Sequence, residues 1–225
     1  MIGTMYSTNM KVSLCILISL SLYSCAAIDS NNVAPGYKEA FTSIKQLIVG
    51  VDNSIDPELI KNIPYASMLV KIGKGPWALM ILEKATEEGD LWVSADGVYF
   101  LIDNGRIIQT HGLNNNLKEK LSSSITWNDK VIFDNEYVSY HSYSQPTLNN
   151  LKVLSGFLDK EEVKVDLIFG PKKLRLIEEV IYSSEIGWNE KNLYWVDKSN
   201  FVWKSSQSIS PRLPTIHFEV TKKPR

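Results

Sequence analysis

Apolar residues along this chain follow two different patterns. Between Tyr37 and Ile48 they recur at intervals of three and four, the spacing of an amphipathic helix, and Gly50 follows as a stop signal. From Tyr65 onwards they come in short runs separated by turn residues, which predicts strands. A second, short helix is predicted over residues 115–121. The predicted strands cover residues 65–72, 77–82, 91–94, 98–102, 106–110, 137–143, 150–158, 163–169, 174–182, 193–196, 202–207 and 216–220.

Turn dipeptides between these runs predict a β-meander. Asp96-Gly97 and Asn104-Gly105 favour the positive φ angles of tight hairpin turns, so the strands that flank them should pair in an up-and-down order. Helices do not alternate with the strands, which argues against a parallel α/β fold. We therefore expect an all-β fold, mainly an antiparallel meander that is barrel- or sandwich-like, with one N-terminal helix and one short additional helix.

The first 24 residues have the features of an export signal. Lys11 is the only charged residue before Cys25, and it precedes an apolar run over residues 12–22. That run is shorter than the roughly 20 residues that span a bilayer, whereas it suits a signal peptide. The segment ends in Leu22-Tyr23-Ser24-Cys25, which resembles a bacterial lipobox. The alternative is a buried N-terminal strand.

This pattern divides the chain into three parts. We expect residues 1–24 to be a lipoprotein signal peptide, and residues 25–36 to be a lipidated Cys25 followed by a flexible tether. Residues 37–225 should form a single β-rich periplasmic domain. The membrane is then a partner through the lipid on Cys25. Met10 is an alternative start to Met1, because Met10-Lys11 opens a short basic segment.

Composition narrows the function classes. The chain has 24 Lys and Arg against 25 Asp and Glu, a net charge of −1, which becomes −2 once the segment holding Lys11 is removed. Neither a nucleic-acid partner nor a polybasic membrane patch fits this balance. Cys15 lies in the predicted signal, so the mature chain has one cysteine and no internal disulfide. Lipidation would use that single thiol.

No catalytic or metal-binding motif stands out. The three histidines are isolated from one another, without the spacing of metal ligands, and no Gly-x-Ser-x-Gly motif is present. We therefore expect neither a metal nor a cofactor, and no enzyme activity. A pair of aspartates acting as in a glycosidase is the alternative, although aspartates beside Gly or Asn are typical turn formers. The aspartates considered are Asp90, Asp96, Asp129, Asp134 and Asp197.

The six tryptophans suggest contacts with partners or glycans. Most should fill the core of a β structure, but Trp127, Trp188 and Trp203 lie near turns or among polar residues and are the best candidates for exposure. Arg106 is a further candidate contact, with pairing to a buried carboxylate as the alternative.

Three segments together resemble the YjbF/GfcB family of bacterial lipoproteins. They are residues 105–113 (GRIIQTHGL), 192–197 (NLYWVD) and 202–211 (VWKSSQSISP). Asn200-Phe201 departs from the family, which usually has glycine before the valine. We interpret most residues of these segments as structural, in turns or on one strand face. The structural candidates are Gly105, Gly112, Trp195, Asp197, Ser205, Gln207 and Pro211.

The resemblance implies a role in capsule or exopolysaccharide systems of the group-four kind. Members of the family accompany a periplasmic β-rich protein and an outer-membrane barrel, and they resemble no known enzyme. Ala26 after Cys25 is typical of lipoproteins sorted to the outer membrane. The expectation is an accessory lipoprotein that docks secretion partners at the periplasmic face of the outer membrane. A carbohydrate-binding module that contacts the polymer directly and, less favoured, a polysaccharide-modifying enzyme are the alternatives.

Overall fold

The computed structural model describes residues 56–121, 125–127 and 133–224. These residues fall within one compact unit, Ala40–Arg225, and hold no helix that is long and apolar enough to cross a membrane. The predicted helix between Tyr37 and Ile48 lies outside the described residues. The described elements are α1 (Pro57–Lys61), β1 (Ser67–Ile72), β2 (Ala78–Thr86), β3 (Gly89–Ser94), β4 (Tyr99–Asp103), β5 (Arg106–His111), β6 (Leu117–Leu121), β7 (Glu136–Ser144), β8 (Thr147–Leu167), β9 (Gly170–Ser183), β10 (Trp188–Val196), β11 (Val202–Gln207) and β12 (Ile216–Lys222).

The strands form a closed, antiparallel barrel. Each strand pairs with its neighbour in the sequence, and β12 returns to pair with β1, where Val70 lies opposite Phe218. The predicted all-β meander is confirmed, and of the two predicted types it is a barrel. Closure leaves no edge strand in the sheet, so the main-chain hydrogen-bonding groups at the seam are paired.

The hairpin turns form where the dipeptides predict them. Asn104 and Gly105 have φ angles of 48° and 82°, which gives the tight turn between β4 and β5. Gly97 has φ of 83° in the turn between β3 and β4. We call the end of the barrel that carries the β4–β5 and β10–β11 turns the lower end.

Two predicted elements differ from the structure. Residues 115–121 do not form a helix: Leu117–Leu121 is β6, whose residues pair with Ser139–Tyr143 of β7. The exposed Lys118 and Lys120 alternate with the less exposed Leu117, Glu119 and Leu121, and tertiary pairing decides in favour of a strand. The predicted strands 150–158 and 163–169 belong to one continuous strand, β8. The residues between them form an irregularity in the pairing with β9, between Asp159 and Glu162, and do not end the strand.

The core fills the inside of the barrel. Inward residues alternate with outward ones, as in β12, where Ile216 and Phe218 are buried among other core residues and His217 is half-buried. Trp127, from the segment between β6 and β7, also lies inside, with its ring 4.9 Å from that of Tyr194. Side chains of the described residues thus fill most of the lumen, apart from a cavity of about 140 Å³ lined by core residues such as Met68, Trp92 and Phe218.

The hairpin of β8 and β9 extends past its neighbours. Register with β10 stops at Arg175, so residues 160–174 form a two-stranded arm, which we call the β8–β9 arm. Its tip lies against the outside of the barrel: the Ile168 amide donates to Glu219 Oε1 at 2.5 Å, and Lys172 Nζ lies 3.3 Å from the centre of the Trp203 ring.

Gly105 is expected to be sensitive to substitution, with Gly97 as its matched control. Both have almost the same positive φ, but a Cβ at Gly105 would overlap the side chain of Val202, whereas nothing lies within 4 Å of a Cβ at Gly97. Gly97→Ala should cost about 1–2 kcal/mol through φ alone. Gly105→Ala should cost a further 1–3 kcal/mol or so through overpacking. Urea unfolding measures both, and equal losses would contradict the role of Val202.

Candidate functional site

Arg106 lies inside the barrel at the start of β5. It is 6% exposed, and its Nη2 lies 3.0 Å from Glu119 Oε1 and 3.1 Å from Glu179 Oε1. Glu119 is on β6 and Glu179 is on β9. We call these three residues the buried ionic cluster. Arg106 is therefore not an exposed contact. It pairs with buried carboxylates, which is the alternative that the sequence left open.

Further polar groups complete the cluster. The Tyr194 hydroxyl and the Asn192 amide both donate to Glu179 Oε2, at 2.6 and 2.9 Å. The His141 ring places Nε2 3.5 Å from Glu119 Oε1. Because one guanidinium faces two carboxylates, these additional contacts are needed to offset the cost of removing the charges from water.

Gln207 connects the cluster to the opposite wall. Its Oε1 accepts from the Ile107 amide at 3.0 Å, while its Nε2 donates to the Gly105 carbonyl at 2.9 Å and to Ser205 Oγ at 2.8 Å. The bonds to Ile107 and Gly105 cross the lumen between β5 and β11, which are not neighbours in the sheet. The three sequence segments that resemble the lipoprotein family thus meet inside the barrel.

The buried ionic cluster is enclosed. The cavity beside it has a volume of about 10 Å³, which is barely enough for one water molecule. Arg106 Nε and Nη1 have no hydrogen-bond partner within the described residues. The cluster accordingly has no room for a substrate and acts on the stability and register of the barrel.

The ion pairs control the protonation of the cluster. Burial by itself raises the pKa of Glu119, but the Arg106 charge and the contact with His141 outweigh it and lower that pKa to about 2. Burial likewise lowers the pKa of Arg106, and the charges of Glu119 and Glu179 raise it well above its usual value. Glu119 and Arg106 are consequently both charged at neutral pH.

An open cleft at the lower end is the larger site. It has a volume of about 620 Å³. Its walls come from the base of the β8–β9 arm, the β10–β11 turn and the segment between β6 and β7. We call it the lower cleft, and its residues are Trp127, Phe133, Asp134, Asp159, Arg175, Asp197, Lys198 and Asn200.

Arg175 holds the walls of the lower cleft together. Its Nη2 donates to the Trp127 carbonyl at 2.6 Å and to Asn200 Oδ1 at 3.4 Å. Its Nη1 lies 3.4 Å from Asp159 Oδ2. Arg175 therefore connects all three wall segments and fixes their spacing.

Asp197 shapes the β10–β11 turn. Its Oδ1 accepts from the amides of Ser199 and Phe201, and its Oδ2 accepts from Trp203 Nε1 and Lys223 Nζ, both at 2.8 Å. Partial burial raises the pKa of Asp197, but the hydrogen bonds from Lys223, Ser199 and Trp203 lower it well below the usual value. Asp197 is therefore ionised and fully engaged in the turn.

The expected exposure of two tryptophans is wrong. Trp127 is 2% exposed and donates through Nε1 to the Asn104 carbonyl at 2.6 Å. Trp188 is 6% exposed and faces inwards from β10, 6.2 Å from the His141 ring. Polar neighbours in the sequence are misleading for Trp188, because the next residue of a strand faces the opposite side. Trp127 belongs to the segment between β6 and β7 and packs on Tyr194 and Phe157. Trp203 is partly exposed, with Lys172 over its ring.

The other sequence candidates have structural surroundings. Gly112 has φ of 84°, and a Cβ there would lie 3.1 Å from Val98. Trp195 is partly exposed, with Lys204 Nζ 5.8 Å from its ring centre, and Pro211 is exposed after β11. In the described ranges no group of three or more His, Cys, Asp or Glu residues is placed to hold a metal ion. Glu119 and Glu179 were not identified from the sequence. The signal that could have indicated them is a charged residue at a strand position that faces inwards.

The stability of the barrel should fall in acid through Glu119. Its pKa is lowered from the usual 4.5 to about 2 on folding, so its contribution is present above pH 4.5 and is lost as the pH falls towards 2. The loss should be of the order of 3 kcal/mol. Urea unfolding of the wild type and of Glu119→Gln between about pH 5 and pH 2 tests this.

Glu161→Gln, in the exposed part of the β8–β9 arm, is the control. The slope of stability against pH should be shallower in Glu119→Gln and unchanged in Glu161→Gln. Equal slopes in all three proteins would contradict the assignment.

Comparison with known proteins gives consistent matches. A family model described as "Group 4 capsule polysaccharide lipoprotein gfcB, YjbF" matches residues 38–220. The lipoprotein YjbF of Escherichia coli K12 is 24% identical over 207 residues, which cover 89% of this chain and 92% of YjbF. The lipoprotein GfcB of the same organism is 31% identical over 72 residues, which cover 32% of this chain and 34% of GfcB.

A solved structure has the same fold. The crystal structure of the hypothetical lipoprotein YmcC from Escherichia coli K12 aligns with a TM-score of 0.67 and 18% identity, covering 86% of this chain and 99% of YmcC. The family resemblance of the three sequence segments is confirmed by the family model, which spans the barrel from β1 to Val220 in β12. This chain belongs to the YjbF/GfcB family of group 4 capsule polysaccharide lipoproteins.

Proposed function

We propose that this protein is an accessory lipoprotein of capsule or exopolysaccharide assembly and export. It is anchored at the periplasmic face of the outer membrane through Cys25, and it docks protein partners of the secretion system. The observation that carries the proposal is the match of residues 38–220 to a family of capsule polysaccharide lipoproteins. Direct contact with the polymer is the second candidate, and the lower cleft favours it.

The anchor rests on the N-terminal sequence. Residues 1–24 serve as the signal peptide, and cleavage before Cys25 leaves its thiol for lipid attachment. Residues 26–36 are small, polar and rich in turn formers, and eleven residues reach roughly 35–40 Å when extended. A tether of this length lets the barrel stand clear of the lipid headgroups.

The outer wall offers a surface for a protein partner. Tyr140 on β7, Leu158 on β8 and Tyr182 on β9 are 40%, 46% and 43% exposed. Their strands are neighbours in the sheet, and Leu154 lies opposite Tyr182. Exposed aromatic and aliphatic side chains on adjoining strands are the kind of surface that partners cover.

The interior supports a non-catalytic role. The charged residues of the buried ionic cluster pair with one another, and the cavity beside them holds about 10 Å³. A reaction needs space for its substrate next to the reacting groups. The family is one of capsule lipoproteins, in keeping with an accessory function.

Cys25→Ser should separate the barrel from the membrane. Stable anchoring needs acyl chains, each buried CH₂ contributing about 0.8 kcal/mol, so the variant should lose fatty-acid label and accumulate as precursor. Cys15→Ser, in the apolar run of the signal, is the matched control and should keep the label. Metabolic labelling, membrane fractionation and the amount of exported polymer are measured. An unlabelled wild type, or full export by Cys25→Ser, would contradict the proposal.

Docking is tested on the outer wall. Tyr182→Ser combined with Leu158→Ser should reduce co-purification of the secretion partners at least about tenfold, because two exposed contacts of a hot-spot kind are lost. Phe169→Ser, an exposed apolar residue at the tip of the β8–β9 arm, is the control. Circular dichroism checks that each variant keeps its fold. Unchanged co-purification of the double variant would contradict docking through this face.

A further inference from the structure

The lower cleft has the size and construction of a ligand site. Its volume of about 620 Å³ lies within the range of roughly 300–1,000 Å³ that small-molecule sites occupy. Its residues come from three segments that are distant in sequence, and Arg175 holds those segments at a fixed spacing through the Trp127 carbonyl and Asn200. A ligand would meet groups that are already in place.

The cleft contains both hydrogen-bond donors and hydrogen-bond acceptors. Carboxylates of Asp134 and Asp159 only accept, Arg175 and Lys198 only donate, and the amide of Asn200 does both. A hydroxyl group donates one hydrogen bond and accepts others, so it can bridge an acceptor and a donor at once. Several hydroxyls on one rigid ring match this alternation better than a ligand with acceptors alone.

Two of the cleft side chains keep their hydrogen-bonding capacity for a ligand. Within the described residues, Asp134 and Lys198 take part in no hydrogen bond and no ion pair, and both are exposed. Among the described residues, Asp159 is engaged by Arg175 alone, at 3.4 Å. Asp197, by contrast, is committed to its turn and serves as support.

The charges of the cleft are nearly balanced. Arg175 offsets Asp159, and Lys223 offsets Asp197 at 2.8 Å. Asp134 and Lys198 then contribute one charge of each sign. The charges of the described cleft residues therefore set up no strong field that would attract a polyanion or a polycation, which favours an uncharged ligand. Phe133, which is half-buried, adds an apolar surface for the C–H face of a ring.

From these features we infer that the lower cleft binds a segment of polysaccharide built from neutral sugars. The inference rests on the proposed function and adds to it a binding site and a ligand class. The site lies at the end of the barrel where β1 begins and β12 ends, and the polymer contacts the cleft without entering the packed lumen.

The test is isothermal titration of the full chain in detergent with defined polymers. The probes are the surface polysaccharide purified from the bacterium that makes this protein, neutral dextran, and anionic polygalacturonate. The wild type should bind the purified polysaccharide. The double variant Asp134→Ala/Lys198→Ala should bind it at least about tenfold more weakly, because it loses an acceptor and a donor that face the ligand.

The matched control is Lys164→Ala/Asp166→Ala, which removes the same two charges from exposed positions of the β8–β9 arm. It should bind as the wild type does. Absence of binding, equal binding by the cleft variant, or binding of polygalacturonate alone would each overturn the inference. The inference would also be overturned if the cleft variant lost a protein partner and no polysaccharide bound to the wild type. Polymer export that still depends on Cys25 would in those cases leave the proposed function standing.

Discussion

The arrangement of the barrel depends on one guanidinium shared by two buried carboxylates. Arg106 on β5 contacts Glu119 on β6 and Glu179 on β9, and all three side chains are almost fully removed from water. Loss of one partner from such a cluster costs about 3–5 kcal/mol, since it leaves an unpaired charge in the interior. A slip of one residue in β5 would turn Arg106 to the outside, so the cluster also fixes the strand register.

A continuous path of contacts joins this cluster to the lower cleft. Gln207 holds the Gly105 carbonyl beside Arg106, the neighbouring Asn104 carbonyl accepts from Trp127 Nε1, and the Trp127 carbonyl accepts from Arg175. The interior thus supports the floor and walls of the cleft. Groups that are open to other molecules include those of the lower cleft and of the outer wall, whereas the side chains of the core face the lumen.

Much of the fold could be predicted from the sequence, because alternation and turn dipeptides are local signals. The β3–β5 meander follows from Asp96-Gly97 and Asn104-Gly105, and β11 has the predicted bounds of 202–207. The candidate site is harder to predict from the sequence, because its contacts join residues that are far apart along the chain. Glu179 lies 73 residues from Arg106, and nothing in one sequence indicates that pairing.

The tryptophan errors have a related cause. Trp127 and Trp188 have polar neighbours in sequence, but both rings are buried. The side that Trp188 faces is set by the register of the whole sheet, and Trp127 is placed by contacts of the segment between β6 and β7 with residues far away in the sequence. The helix predicted over 115–121 fails in the same way, because pairing with β7 outweighs local preference.

The seam between β1 and β12 has a consequence for biogenesis. The first and last strands of the barrel are partners, and the Ser67 hydroxyl meets the Thr221 hydroxyl at 2.8 Å across 154 residues of sequence. The cylinder is incomplete until its final strand is available, so a chain that enters a compartment N-terminus first stays open along this seam until its last residues arrive. Two unpaired strand edges persist during that interval, and they are the surfaces that chaperones would have to shield against aggregation. A chain that stops short of β12 would keep those edges permanently.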